Sequence, residues 1–186
     1  MNHIVTSRES ILKESEKLIL EQGLEAVSIR SVAAACQVSV GSIYNYFSSK
    51  SALVTATIES VWQKIFHIPG EEFPFDGFSD CVEWLFQKAE QGSKQYSGFF
   101  SLHSMAFLNE EREEGKRLMK QSWAHIQQML VIVLTKDEHV RPNAFHDQFT
   151  QVDFVALIFS FLIAAMIKED YQSSAVLEVI KRCIYE

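Results

Sequence analysis

Turn-forming residues are scarce in this sequence, and they cluster in one place. The 186 residues include only 7 Gly and 3 Pro. Four of these lie between His67 and Phe78, at Pro69, Gly70, Pro74 and Gly77. Because β-sandwiches and barrels need turn residues at regular intervals, the sequence predicts an all-α protein in which residues 67–78 form the main loop.

Apolar residues recur at helical spacing on both sides of this loop. A capping box at Thr6 predicts the start of a first helix, which ends at Gly23. Ser28 and Ser39 are the predicted N-caps of two short helices, and a longer helix follows from residue 48. In the rest of the chain the pattern predicts helices over 79–91, 97–109, 110–135, 143–168 and 173–185. The expected total is about nine helices.

Cysteine usage and apolar stretches indicate the compartment. Cys36, Cys81 and Cys183 are far apart and form no CxxC pair, which favours reducing conditions. The first residues, MNHIVTSRES, lack the basic stretch and apolar core of a secretion signal. The longest apolar run, 154–167, is shorter than the roughly 20 residues that span a bilayer. We therefore expect a cytoplasmic protein in which this run is a buried helix.

The charge of the chain is divided unevenly. The net charge is −7, yet residues 1–50 hold five basic and five acidic residues, so the whole excess lies beyond them. Nucleic-acid binding depends on Lys and Arg side chains that neutralise phosphates. A neutral N-terminal segment on an acidic body is therefore compatible with DNA binding by the segment alone.

The two short predicted helices, joined by the turn Gln37-Val38 and preceded by a third helix, have the order of a helix-turn-helix. The second helix of such a pair enters the major groove, and small or polar residues such as Gly41, Ser42 and Asn45 suit that role. Serine hydroxyls at both helix starts and tyrosines of the second helix can hydrogen-bond phosphates. Three short helices with serine caps also occur in many proteins that never bind DNA, so this pattern alone leaves both interpretations open.

The string from Gly23 to Leu53, GLEAVSIRSVAAACQVSVGSIYNYFSSKSAL, resembles the DNA-binding domain of the tetracycline-repressor (TetR/AcrR) family. The hallmark is a serine- or threonine-led helix, a turn and a segment of the form VSxGxxYxYFxxKxxL, which here begins at Val38. The resemblance implies that ten residues contact DNA, namely Ser28, Arg30, Ser39, Val40, Gly41, Ser42, Tyr44, Asn45, Tyr46 and Lys50. It implies a core role for Ile29, Val32, Ile43, Phe47 and Leu53.

Two positions depart from the family pattern. Gln37 occupies a turn position that usually holds glycine, and a positive φ there would cost on the order of 1 kcal/mol. Val40 stands where a basic or polar residue is common, so a charged contact is missing, although a valine can meet a thymine methyl group. Because the segment has few basic residues, we expect modest nonspecific affinity and a weak dependence on salt.

The resemblance implies an architecture for the rest of the chain. We expect a DNA-binding domain over 1–52 and a helical effector-binding and dimerisation domain over 53–186. In the family the last two long helices form a four-helix bundle across a two-fold axis, and the apolar stripes of the last two predicted helices are compatible with this. The predicted dimer interface comprises Phe154, Ile158, Phe161, Leu162, Ala165 and Ile180. A purely internal core is the alternative for these residues.

Aromatic and methionine residues are frequent in the middle of the chain, where they can line an apolar effector pocket. The predicted pocket comprises Trp84, Phe100, His103, Phe107, Met119 and Trp123, with core packing as the alternative for each. The sequence contains no nucleotide-binding or hydrolase motif, and its histidines lack metal-ligand spacing with Cys, Asp or Glu. We therefore expect no enzyme activity, no cofactor and no metal.

These features together predict a homodimeric repressor that a small-molecule effector releases from operator DNA. A dimer is favoured because one short recognition helix reads few base pairs, whereas two can read half-sites about 34 to 36 Å apart. The same features would serve an activator. The alternative is a helical ligand-binding or interaction module with little or no DNA affinity, which Gln37, Val40 and the acidic body favour.

Overall fold

The computed structural model describes residues 6–67, 74–96, 99–100 and 113–186. Eight α-helices lie within these ranges: α1 (Arg8–Gln22), α2 (Ile29–Ala35), α3 (Val40–Tyr44), α4 (Lys50–Ile65), α5 (Phe78–Gln95), α6 (Glu113–Lys136), α7 (Gln151–Lys168) and α8 (Ser174–Ile180). A 3-10 turn follows α1 at Leu24–Ala26, and a π-helical turn continues α8 over Lys181–Tyr185. The described residues contain no β-strand, only an isolated bridge between His146 and Phe149. The all-α prediction is confirmed.

The predicted helices that lie within these ranges are present, with some shifted ends. The helix predicted over 143–168 begins only at Gln151, because a capping box of Thr150 and Asp153 starts it there. Most of the helix predicted over 97–109 lies outside the described residues. The largest difference between a predicted and an observed helix end is thus at the start of α7. There the capping box, and not the apolar pattern, determines the first helical residue.

The chain divides into two compact units. Unit 1 consists of Met1–Lys64 and Ser93–Met119, and unit 2 consists of Ile65–Gly92 and Lys120–Glu186. Unit 1 contains α1 to α3 and nearly all of α4. The boundary predicted after residue 52 falls inside α4, so this helix continues across it without a break.

Local hydrogen bonds define where α1 begins and ends. Ser7, one residue after the predicted Thr6, caps α1 by accepting a hydrogen bond from the N–H of Ser10 at 3.1 Å. Gly23 follows the helix with a φ of 84° and donates its N–H to the carbonyl of Ile19 at 2.9 Å. Glycine adopts this positive φ without steric cost, so the chain can turn towards α2 at this point.

The core beneath α2 and α3 is built from the residues that the resemblance implied. All five are buried: Ile29, Val32, Ile43, Phe47 and Leu53. Burying a side chain of this size contributes about 1.5 to 3 kcal/mol. α2 contacts both α1 and α3, and the side of each short helix opposite these buried residues is exposed.

A buried carboxylate joins α1 to α4. The side chain of Glu16 is buried and accepts a hydrogen bond from the hydroxyl of Ser60 at 2.5 Å. It also forms an ion pair with the ammonium group of Lys64. A buried carboxylate without partners is strongly destabilising, so these contacts favour one register between the two helices.

One face of α7 forms the core of unit 2. The ring of Phe154, near the start of α7, lies 5.8 Å from the rings of Phe78 and Phe145 and 6.0 Å from that of Phe149. The helix also buries Val155, Ile158, Phe159, Leu162, Ala165 and Met166. This inward face accounts for about half of the apolar residues of α7.

The predicted dimer interface is corrected by this packing. Five of its residues, Phe154, Ile158, Leu162, Ala165 and Ile180, are buried within the chain. Their side chains already contact the core of unit 2 and are not accessible to a second copy. Phe161 differs, since it is 39% exposed.

The outward face of α7 is also apolar. It exposes Val152, Leu157, Phe161 and Ile167, and we call these four residues the outer stripe. α7 is the one described helix whose length and mean hydropathy, 1.9 over 18 residues, are sufficient to cross a membrane. Core helices commonly share that composition, and the packed inward face gives α7 such a role. The outer stripe has no partner within the described part of the chain.

Candidate nucleic-acid interface

α2 and α3 are joined by a tight turn in which Gln37 adopts the left-handed conformation. Its φ is 56°. Its N–H donates to the carbonyl of Ala34 at 3.1 Å, and the N–H of Val38 donates to that of Ala33 at 3.0 Å. The condition stated for this family glycine position, a positive φ, is therefore met, although the side chain is not glycine. A Cβ in this conformation costs on the order of 1 kcal/mol.

Replacing Gln37 by glycine is expected to raise the free energy of unfolding by about 0.5 to 1 kcal/mol, because the relief of Cβ strain exceeds the freedom added to the unfolded chain. Thermal unfolding should show a Tm higher by a few degrees. The matched control is Gln22→Gly in the last turn of α1, where glycine should destabilise by a similar amount. A loss of stability at both positions would contradict strain at Gln37.

The serine that caps α2 uses its hydroxyl within its own helix. Ser28 Oγ accepts from the N–H of Ser31 at 3.1 Å and lies 2.9 Å from Ser31 Oγ. Ser31 Oγ in turn donates to the carbonyl of Ala26 at 2.6 Å. Ser28 must therefore be the donor between the two hydroxyls, which leaves it no further proton for a phosphate. Any phosphate contact at the start of α2 falls to its backbone N–H groups or to Arg30.

The serine that caps α3 keeps one donor available. Ser39 Oγ accepts from the N–H of Ser42 at 3.1 Å and lies 2.9 Å from Ser42 Oγ. One proton lies between the two oxygens, so the other hydroxyl can donate outward. This pair can therefore supply one hydrogen bond to a phosphate or a base edge.

All ten residues that the resemblance implied as DNA contacts lie at the surface. Eight are exposed, and Ser28 and Ser42 are half-buried. Exposure is a necessary condition for DNA contact, and the contacts themselves remain predictions.

Tyr46 makes a contact that sequence reasoning missed. Its hydroxyl donates to the carbonyl of Thr6 at 2.6 Å, so the proton expected to reach a phosphate is used within the chain. The bond ties Tyr46, two residues after α3, to the segment just before α1. Tyr44, in contrast, is 52% exposed and presents its ring to the surface.

Exposed cations precede and follow α3 in the sequence. Arg30 on α2 and Lys50 at the first residue of α4 are exposed, and neither forms an ion pair within the described residues. The guanidinium of Arg8 lies 5.4 Å above the ring of Phe47, a cation–π contact that sequence reasoning also missed. These three side chains are the candidates for phosphate contacts.

The predicted effector pocket is described only in part. His103, Phe107 and the side chain of Met119 lie outside the described residues. Each of the other three residues lies beside an aromatic ring of its own unit. The ring centroids are 5.4 Å apart for Phe100 and Trp62, 5.5 Å for Trp84 and Phe75, and 5.5 Å for Trp123 and Phe159. Such pairs agree with the core-packing alternative, and the pocket remains a prediction.

Comparison with known proteins places the helix-turn-helix in a family. Residues 11–57 match the family described as bacterial regulatory proteins, tetR family. A segment of 63 residues is 35% identical to YuxN, an uncharacterised HTH-type transcriptional regulator of Bacillus subtilis (strain 168). That segment is 30% of this chain and 22% of the length of YuxN, so this likeness concerns one domain.

Solved structures resemble the chain over nearly its whole length. RolR, solved without ligand, has a TM-score of 0.63 at 15% identity and is matched over 94% of this chain and 89% of its own. The multidrug binding protein EbrR, solved with imidazole, has a TM-score of 0.61 at 18% identity over 95% and 89% of the two chains. A TetR-family transcriptional regulator from Vibrio parahaemolyticus has a TM-score of 0.55 at 20% identity over 97% and 100%.

At these identities the structural likeness concerns the fold, and the sequence match concerns the domain that carries α2 and α3. The structural likeness and the sequence match agree with each other. Both also agree with the exposed α3, its serine cap and the buried core beneath it. The N-terminal helix-turn-helix domain of this chain, over residues 11–57, is therefore similar to that of the tetR family of bacterial regulatory proteins.

Proposed function

We propose that this protein is a sequence-specific, DNA-binding transcriptional regulator that acts in the cytoplasm as a homodimer and is released from its operator by a small molecule. The observation that carries the proposal is the arrangement of α2 and α3. Buried Ile43 and the Ser39 cap hold a five-residue helix with its outer face exposed. A helix this slim and exposed fits the major groove.

Phosphate contacts on either side of α3 would fix its position in the groove. Arg30 precedes α3 and Lys50 follows it, and both are exposed. Lys50 lies at the start of α4, where the N–H groups of the first turn also attract an anion. Phosphate contacts orient a recognition helix, and side chains of the helix itself then read base edges.

We infer that a second copy of the chain covers the outer stripe of α7. Its four apolar side chains are exposed, and small residues at Ala156, Ser160 and Ala164 lie between them. Small residues allow two helices to approach closely. A second copy would bury this stripe and would supply the second recognition helix that a two-part operator requires.

A ligand that acts on this regulator must bind more tightly to the arrangement that cannot bind DNA. Unit 2 offers aromatic side chains such as Trp84 and Trp123 for an apolar ligand. EbrR, whose fold is similar, is a multidrug binding protein. We therefore propose an apolar or aromatic effector for this chain.

Fluorescence-anisotropy titration of DNA from upstream of the protein's own gene tests DNA binding, with scrambled DNA as competitor. Lys50→Ala should weaken binding and reduce the slope of log affinity against log salt concentration by about one unit for each phosphate that is no longer neutralised. Tyr44→Ala should weaken binding with little change in slope. Lys120→Ala, which removes an exposed cation from unit 2, is the matched control and should change neither the affinity nor the slope.

The outcomes separate the proposed regulator from its alternative. Tight binding that resists competitor and depends on Tyr44 and Lys50 supports a sequence-specific regulator. Equal, weak binding to both DNAs that neither substitution changes supports a helical binding module without DNA function. In the first case, a library of aromatic compounds added to the bound complex tests for release.

A further inference from the structure

The outer face of α3 carries an apolar surface. Val40 and Tyr44 are 41% and 52% exposed. Residues four apart lie on the same face of a helix, so the two side chains form one ridge, which we call the apolar ridge. It lies on the face that the proposed function directs into the major groove.

Few polar groups accompany the apolar ridge. Ser39 and Ser42 hydrogen-bond each other and retain one outward proton between them. Gly41 has no side chain, so the further polar groups are the hydroxyl of Tyr44 and the exposed amide of Asn45, which follows α3. Hydrogen bonds to base edges are therefore limited, and the apolar ridge needs an apolar partner. In the major groove that partner is the C5-methyl group of thymine.

We propose that Val40 contacts the C5-methyl group of a thymine in each half of the operator and that this contact determines the base preference there. The inference rests on the proposed function. Arg30 and Lys50 flank α3 in sequence and lie outside it, and the inference assigns their charges to phosphates. The branched side chain of Val40, at the first residue of α3, would make the discriminating contact.

Single replacement of thymine by deoxyuridine tests the inference, because it removes the methyl group and keeps the base pair. The probe is a duplex selected by the wild-type protein from a randomised pool, with each thymine replaced in turn. We expect one position in each half-site at which affinity falls about fourfold, the value for burial of roughly one methyl group. Replacement in both half-sites should lower affinity about fifteenfold.

Substitutions at residue 40 test whether Val40 causes the loss of affinity for the deoxyuridine duplex. Val40→Ala should bind the thymine and uracil duplexes equally, whereas Val40→Ile, which keeps the branched side chain, should retain the preference. The matched control is Leu20→Ala on α1, where the side chain is 45% exposed; it should retain the wild-type preference.

The result that overturns this inference differs from the result that overturns the proposed function. If the protein selects no duplex over the pool, the proposed function fails and the inference fails with it. If it selects a site but no thymine is required, or if Val40→Ala discriminates against uracil as strongly as the wild type, the protein is a DNA-binding regulator and Val40 does not read thymine.

Discussion

Replacing Phe161 by glutamate is expected to separate the proposed dimer into monomers and to weaken operator binding on the order of a hundredfold. Phe161 lies in the middle of the outer stripe of α7 and is exposed in the single chain. A two-fold interface brings the same patch of both copies together, so the substitution places two like charges in one apolar contact. A monomer then binds one half-site only and loses the effective concentration of the second recognition helix.

Sedimentation across a concentration series measures the association, and anisotropy with the selected duplex measures the fall in operator affinity. The matched control is Ile132→Glu, which places the same charge on an apolar residue of α6 that is 43% exposed. It should leave both measurements unchanged. A dimer that survives Phe161→Glu would place the interface elsewhere, and a monomeric wild-type protein would remove the homodimer from the proposed function.

Neighbouring residues of α7 have opposite roles, and the apolar pattern does not distinguish them. Ile158 is buried while Leu157 is exposed, and Leu162 is buried while Phe161 is exposed. A helix that is apolar on all sides has no contrast between faces, so its sequence predicts the helix and not its orientation. The aromatic cluster around Phe154 decides which face turns inward, and it depends on side chains contributed by α5 and by the turns before α7.

The helix-turn-helix was predictable because its signals are local. Ser28 and Ser39 each cap a helix by accepting from the N–H three residues later, and the turn at Gln37 lies between them. The resemblance then assigned the buried residues of α2 and α3, which the structure confirms. Local caps and local spacing leave few alternatives for such short helices.

Contacts between distant residues were not predictable. The hydrogen bond from Tyr46 to Thr6 and the ion pair of Lys64 with Glu16 join residues that no local pattern relates. Each uses a polar group that the sequence pattern assigns to solvent or to DNA. The tyrosine hydroxyl is the clearest case, since its motif predicts a phosphate contact and the fold supplies a backbone carbonyl instead.

The carboxylate of Asp137 connects three segments of unit 2. It is buried just after α6 and accepts hydrogen bonds from the N–H of Phe78 at 2.8 Å, the hydroxyl of Tyr185 at 2.5 Å and the N–H of His139 at 3.0 Å. Gly77 leaves room for this approach, because a Cβ there would lie 2.9 Å from a carboxylate oxygen. Removing the carboxylate therefore affects the start of α5, the end of α6 and the last residues of the chain together.

Asp137→Ala is expected to lower the free energy of unfolding by about 3 kcal/mol, because it leaves the buried N–H of Phe78 and the hydroxyl of Tyr185 without their acceptor. Asp137→Asn keeps one acceptor oxygen and should cost less. Urea unfolding measures both. The matched control is Asp147→Ala, an exposed carboxylate of the same unit, which should change the free energy by less than about 0.5 kcal/mol. An equal effect at both positions would contradict the role assigned to Asp137.

The same carboxylate makes this stability difference depend on pH. Burial by itself raises the pKa of Asp137, but the hydrogen bonds from Tyr185, Phe78 and His139 outweigh it and hold the pKa below its ordinary value of 3.8. A carboxyl group with a lowered pKa in the folded state contributes stability that is present above its unfolded pKa and is lost as the pH falls through its folded pKa. The stability difference between the wild type and Asp137→Ala should therefore stay constant near neutral pH and shrink below about pH 4. Urea midpoints measured across a pH series give this difference, and a value that stayed constant or grew in acid would mean that Asp137 is not stabilised in its ionised form.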